Sequence, residues 1–413
     1  MAIAKERGMT GGEWGLLAML VASIFLNYID RSNLSLAAPV MQKEFSLSPA
    51  AMGTLFSAFF WTYALFQLSG IAGWLADRLP VGPVLAGGLF VWSAATILTG
   101  AVSGYAALFA ARLLVGAGES VAYPCYSRIF ATDIPAAHRG KANALVDAGS
   151  KLGPALGTLV GGLLLARFGW RTFFVALGVG SLLWLVPWWK WMPQSHAAKG
   201  GDEAGPTTLE ILGKRSAWGA FVGHFCGNYF WFFLLTWLPS YLVNERGFSL
   251  ERMVRITTIS FLAIACATVT AGWISDRWIA AGGTPTRVRK TFVVGGLTLS
   301  TVILPVAAVK DGTAAVTLLI LACLAYGTYT SNHWAITQTL AGPAAAGRWT
   351  SLQNGVGNLA GVAASWLTGQ LVERTQSYGS AFVAAALVAL AGAVLWGAVV
   401  GPVQQVKWRR ETA

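Results

Sequence analysis

The chain has 413 residues, of which 55% are hydrophobic and only 11% charged, whereas soluble proteins carry roughly a quarter charged residues. That excludes a water-soluble enzyme, a disordered tail protein and a disulfide scaffold, and it assigns the chain to the lipid bilayer. The 29 Lys and Arg against 17 Asp and Glu leave a formal charge of +12. In a soluble chain this would suggest nucleic acid. Here it reflects cations that hold short loops in the cytoplasm, so no nucleic-acid partner is expected.

A bilayer core takes about 20 mainly apolar residues per helix. Twelve runs meet that length, at about 14–40, 50–76, 82–102, 105–130, 142–166, 170–191, 217–243, 253–276, 291–309, 313–340, 348–372 and 379–401. The basic start (Lys5, Arg7) before the first run imitates a signal peptide. No small-residue cleavage site ends that run, so it reads as a retained helix. The only long polar interval, 193–215, is rich in Gly, Pro and charge and reads as a cytoplasmic linker. It divides a six-helix bundle at 1–192 from a second at 216–413. With both termini in the cytoplasm, most Lys and Arg fall on the inner side.

The two halves repeat. Gly73-Trp74-Leu75-Ala76-Asp77-Arg78 closes the second run, and Gly272-Trp273-Ile274-Ser275-Asp276-Arg277 closes the eighth. Asn27-Tyr28 in the first run is answered by Asn228-Tyr229 in the seventh. Duplicated halves joined by a linker suggest two bundles rocking about a midplane site.

The duplicated GxxxDR resembles the signature of the major facilitator superfamily. The resemblance implies an all-α membrane protein with twelve transmembrane helices in two pseudo-symmetric six-helix bundles. Gly73 and Gly272 would allow close helix approach, while Asp77, Arg78, Asp276 and Arg277 would make charge contacts that latch one transport state. The first copy continues Leu79-Pro80-Val81-Gly82-Pro83 and lacks the usual following basic residues. Within the superfamily, Asn27-Tyr28-Ile29-Asp30-Arg31 and the Arg112/Glu119 pair of the fourth run resemble the anion:cation symporter family. That resemblance implies symport of an organic anion with protons.

Six ionisable residues lie inside apolar runs: Asp30, Arg31, Arg112, Glu119, Asp147 and Lys151. Each would cost about 2.5–3.5 kcal/mol at mid-bilayer, so they must pair or line a hydrated cavity. Neighbours on a helix point about 100° apart, so Asp30 and Arg31 should find partners on other helices. Arg112 and Glu119 sit two turns apart on one face. The expected arrangement sets Asp30 beside Arg112, and Arg31 beside Glu119. Glu119 is the first candidate for proton coupling and Asp30 the second. Arg31 and Arg112 are their charge partners, and the forked Arg112 also suits a substrate carboxylate. A static network that only fixes helix packing is the competing expectation.

Asp147 and Lys151 are four apart in a Gly149-to-Gly157 stretch, where acid before base pairs within a helix. Alternatively, Lys151 offers a second positive charge to an anionic substrate, with Ser150 as hydrogen-bond partner. The glycines of that stretch suit close packing or a hinge.

The second half offers uncharged polar and aromatic groups, including Asn228, Tyr229, Ser331, His333, Trp334 and Asn354. Matching the family layout, Tyr63, Ser331, His333, Trp334 and Asn354 resemble substrate contacts. A small hydroxylated carboxylate, such as a hexonate, hexuronate or aldarate, fits best.

An enzyme is not expected, since no metal spacing, nucleophile elbow or phosphate loop appears. No metal or cofactor is expected either. The expected protein is a monomeric, multi-pass carrier of the inner membrane with a small organic anion and protons as partners. The alternatives are a uniporter or sodium-coupled carrier of another carboxylate, aromatic acid or dicarboxylate, and a non-transporting sensor.

Overall fold

The computed structural model describes residues 9–135, 138–193 and 206–408. Of the expected linker at 193–215, residues 194–205 lie outside the described residues, as do the cations Lys5, Arg7, Lys199, Arg409 and Arg410. Every regular element among the described residues is helical. In hydrocarbon each backbone N–H and C=O must be satisfied by the protein itself, and a helix does this within its own segment.

In chain order the helices are α1 (Gly11–Glu44), α2 (Pro49–Leu68), α3 (Ile71–Arg78), α4 (Val81–Ala101), α5 (Tyr105–Glu119) and α6 (Ala122–Asp133). There follow α7 (Arg139–Leu182), α8 (Leu185–Trp191), α9 (Thr208–Leu212), α10 (Arg215–Ser240) and α11 (Leu250–Ala280). The last are α12 (Pro285–Leu299), α13 (Gly312–Thr375) and α14 (Gly379–Val394). Side-chain caps start several of them: Ser249 accepts the Arg252 amide, Thr284 the Arg287 amide and Asp311 the Ala314 amide.

Among the described residues, nine helices are long and apolar enough to cross a bilayer. One of them, Ala142–Trp191, has 50 residues, about twice a bilayer crossing. It turns at Gly169 (φ 76°, ψ 169°). A matching break in α13 falls at Gly342 (φ 63°, ψ 174°), and only glycine adopts such angles without a Cβ penalty. The second legs of these two helices, together with α10, give all twelve expected crossings a helical counterpart. The second run, read as one helix over 50–76, is two, because the chain turns at Ser69-Gly70 between α2 and α3.

The helices form two compact units. The first draws on Met1–Asn33 and Trp61–Gly201, the second on Leu34–Phe60 and Asp202–Ala413. In the first, α4 packs against α5 and α7, and α3 against α6. In the second, α13 gathers α10, α11 and α12 around it, while α14 packs on α10. Leu163, Val186, Trp189, Val269 and Leu299 stand more than half exposed. Water would penalise such a surface, whereas lipid covers it.

The start of α2 belongs to the second unit and is fixed there by Glu373. The Glu373 carboxylate accepts from the Ser48 hydroxyl and the Ala50 amide, both at 2.7 Å. A negative charge at a helix N-terminus is favourable. These two donors hold the Glu373 carboxyl below the usual carboxylate range. A depressed folded value stabilises the protein above the unfolded value of about 4.3 and loses that contribution as the pH falls through the folded one. Glu373→Gln should therefore lower the thermal midpoint at neutral pH, and the gap to the parent protein should close in acid. A gap that is constant with pH would detach Glu373 from this cap.

Candidate functional site

In the first unit α1 carries Asn27, Tyr28, Asp30 and Arg31. Positions 27 and 31 are one turn apart and share a face. The Arg31 guanidinium donates through Nε to Glu119 Oε2 at 2.8 Å, and neither side chain is exposed by more than 3%. Its carbon also lies 4.6 Å from the centre of the Tyr63 ring and 4.7 Å from that of Tyr28. A cation stacked on aromatic faces is stabilised by their quadrupoles. Tyr28 reaches Tyr123 of α6 through a 3.4 Å contact between hydroxyls. Buried Asn27 adjoins the Glu119 carboxyl.

Asp30 is buried as well. Its Oδ1 accepts from Asn33 Nδ2 at 3.1 Å and Thr96 Oγ1 at 3.3 Å, and its Oδ2 accepts from Ser181 Oγ at 3.5 Å. Buried Arg112 on α5 lies within electrostatic range of both Asp30 and Glu119. The four charges anticipated from the sequence are therefore gathered in one unit, and Arg31 meets Glu119 directly. Sequence reasoning missed Asn33, Thr96, Ser181 and Tyr123. Hydroxyls in apolar runs look like ordinary packing residues, and no periodicity singles them out.

Tyr63 lies fully buried beneath Arg31. Ser150 is buried too, and its hydroxyl donates to the Asp147 carbonyl at 2.7 Å. Lys151 approaches Asp147 at 3.8 Å, the within-helix pairing foreseen for that spacing.

The glycines around Ser150 serve close packing. A Cβ on Gly153 would stand 2.8 Å from the Phe25 carbonyl and 2.9 Å from Tyr28 Cβ, while Gly149 and Gly157 press on Ile24 and Ile29. This stripe on α7 seats the α1 turns that carry Tyr28, Asp30 and Arg31. Gly153→Ala should cost about 1–3 kcal/mol through overpacking and lower transport with it. Gly180→Ala, which meets nothing within 4 Å, serves as the control. Equal thermal midpoints for the two variants would sink the packing role.

In the second unit Asn228 donates from Nδ2 to the Gly357 carbonyl at 3.1 Å and lies 3.2 Å from His224 Nε2. His333 stacks on His224 with ring centroids 4.8 Å apart, and Trp334 is 4.9 Å from each. Asn354 accepts from Asn358 one turn on, and Tyr229 is buried on α10. Ser331 accepts from Asn332 at 3.2 Å, and Asn332 accepts from Arg289 at 3.2 Å. Asn228, His333 and Trp334 thus share a cluster with His224, which sequence reasoning overlooked. The available signal was a histidine inside an apolar run, which is rare and functional by default.

The duplicated GxxxDR motifs show their acidic members in use. Asp77 accepts from Arg128 at 3.2 Å and Asp276 from Arg289 at 3.0 Å. Both arginines come from neighbouring helices and were not anticipated. Arg277 lies over the Trp273 ring at 4.0 Å, and Arg78 is exposed. Gly73 leaves open space where a Cβ would go, and at Gly272 the nearest atoms, of Ser331, are 3.5 Å off. Neither glycine is needed for close approach in this conformation.

Comparison with known proteins sets this geometry in context. Residues 20–365 match the family model described as Major Facilitator Superfamily. The chain is 28% identical to the probable galactarate/D-glucarate transporter GudP of Bacillus subtilis, covering 97% of this chain and 95% of that protein. It is 31% identical to the hexuronate transporter of Bacillus subtilis, covering 90% of each. Among solved structures, a bacterial homologue of the human lysosomal transporter Spinster, inward-facing and occupied, superposes with a TM-score of 0.77 at 17% identity. That match covers 94% of this chain and 97% of the other, and it bears on fold alone.

Proposed function

This chain belongs to the major facilitator superfamily, and from that premise we propose that it carries a sugar acid across the inner membrane together with protons, by alternating access. The substrate is a small organic anion of the hexonate, hexuronate or aldarate class. The carrier works as a monomer with both termini in the cytoplasm.

The observation that carries this proposal is the buried Arg31–Glu119 pair, with Asp30 and Arg112 in the same unit. Buried ion pairs stabilise poorly compared with apolar replacements, so their presence calls for a use. An arginine offers a planar fork to a substrate carboxylate. A carboxyl group that exchanges a guanidinium partner for an apolar surrounding changes its proton affinity. Anion arrival at Arg31 or Arg112 would release Glu119 or Asp30 from its cation, and the freed group would take up a proton. The names of the two bacterial relatives support the sugar-acid class. Asn228, Ser331 and Asn354 supply neutral donors and acceptors suited to hydroxyls.

Uptake into proteoliposomes under an imposed pH gradient tests substrate and coupling together. The panel holds sugar acids, dicarboxylates and aromatic acids. Accumulation of a sugar acid that collapses with the proton gradient is expected. Accumulation indifferent to that gradient, or confined to aromatic acids, would overturn the proposal.

A further inference from the structure

The proton coupling proposed above uses the carboxylates of the first unit and makes no demand on the two histidines stacked in the second. His224 on α10 and His333 on α13 are 3% and 4% exposed. Their planes lie 21° from parallel. Tyr329 also stacks on His333, at 4.6 Å and 10°. Imidazole is the side chain whose charge changes between about pH 5 and 8, so the location of protons in this stack is a chemical question.

For His224 the hydrogen bonds answer it. The Gly357 carbonyl can only accept, so it takes one N–H of the Asn228 amide and fixes which way that amide points. The second N–H then faces His224 Nε2 at 3.2 Å, which must accept with its lone pair. The ring proton of His224 therefore sits on Nδ1, which is 3.5 Å from the Tyr329 hydroxyl. An imidazolium at 224 would set N–H against N–H. Gly357 is part of the lock, because a Cβ there would stand 2.2 Å from the imidazole Cδ2 and 2.9 Å from Asn228 Nδ2.

Charge points the same way. Two imidazolium rings 4.8 Å apart would repel strongly in a low-dielectric interior. One cation is accommodated, since the Tyr329 ring stacks on that of His333 at 4.6 Å and Trp334 stands 4.9 Å from it. Among the described residues, the titratable and charged groups around the stack include Tyr329 and Tyr326 on α13, Cys226 of α10 beyond them, and Arg289 of α12. Arg289 is bound to Asn332, the residue before His333.

We propose that the His224–His333 stack is a proton-binding site that takes up a single proton on His333, while Asn228 and Gly357 hold His224 as the neutral Nδ1–H tautomer. The proton comes from bulk water and leaves to it, and no bond between heavy atoms changes. The site rests on the carrier proposal only for its use, as a store that loads or unloads during the transport cycle.

The full-length protein with 15N-labelled histidine, purified in detergent micelles, tests this directly. Ring-nitrogen shifts from about pH 5 to about pH 8 distinguish the tautomers from imidazolium. His224→Gln and His333→Gln assign the signals. His224 is expected to keep its unprotonated Nε2 signal throughout, and His333 to lose its unprotonated nitrogen signal in one transition. Asn228→Asp replaces the facing donor by an acceptor and should convert His224 to imidazolium. If that variant does not fold, Asn228→Ala should let the second His224 tautomer appear. Imidazolium at 224 in the parent protein, independent titration of both rings, or two rings neutral over the whole range would each overturn the proposal. No transported anion enters this measurement, so it can fail while Glu119-dependent uptake stands, and the reverse.

Discussion

Glu119→Gln is expected to abolish accumulation driven by a pH gradient and to keep exchange of substrate between the two sides. Glutamine preserves the shape of the side chain and an acceptor oxygen for Arg31 Nε, which now donates to Glu119 at 2.8 Å. The hydrogen bond to Arg31 and the packing around it are therefore kept, while the group proposed to carry the proton is gone. One coupled proton across a difference of two pH units supports about a 100-fold concentration ratio, since each unit is a factor of ten. The parent protein should approach that ratio, and the variant should stop near unity. Counterflow at equal pH on both sides should persist, because it needs only binding and reorientation. Full gradient-driven accumulation by the variant would remove Glu119 from the mechanism and transfer the role to Asp30, whose Asn33, Thr96 and Ser181 donors give it a separate environment.

Part of this site is legible in the amino-acid order because charge in hydrocarbon is expensive. Asp30, Arg31, Arg112 and Glu119 stand out from apolar runs, and the 100° step between helical neighbours sends Arg31 to another helix for its partner. The structure supplies that partner as Glu119. The same logic is silent on Thr96 and Ser181, since a small hydroxyl costs little in an apolar run. It is also silent on Arg128 and Arg289, because the contacts they make with Asp77 and Asp276 join different helices and leave no periodic trace. The twelve crossings follow from run length, whereas the break that separates α3 from α2 does not, because Ser69 and Gly70 interrupt the run too briefly to change its mean polarity.

The two units differ in the chemistry they bring. The groups proposed to handle the anion and the proton gather around α1 and α5 in the first unit, where four ionisable side chains are buried. In the second, the polar groups near α10 and α13 are amides, hydroxyls and imidazoles. Neutral groups can read several hydroxyls without the cost of burying a charge. Under the proposed function, that division lets specificity change in the second unit while coupling stays in the first.

Removing Arg31 and Glu119 together separates the transport role from a static packing role. Arg31→Met alone leaves the Glu119 carboxyl buried without its cation and should cost about 3–5 kcal/mol of stability. It also empties the space over the Tyr63 and Tyr28 rings that the guanidinium fills. Adding Glu119→Leu removes the stranded group, and replacement of a buried pair by apolar residues is often neutral or stabilising by about 1–4 kcal/mol. The double variant should therefore recover the parent's thermal midpoint, so the two sites couple by at least the ~3–5 kcal/mol that Arg31→Met costs alone. Transport should not recover with it on the proposed mechanism, because a cation offered to the anion and the group proposed to carry the proton are both absent. If the pair served only to fix helix packing, stability and transport would return together. A double variant that is stable and still accumulates substrate would remove the Arg31–Glu119 pair from the mechanism and leave only Asp30 and Arg112 to serve it.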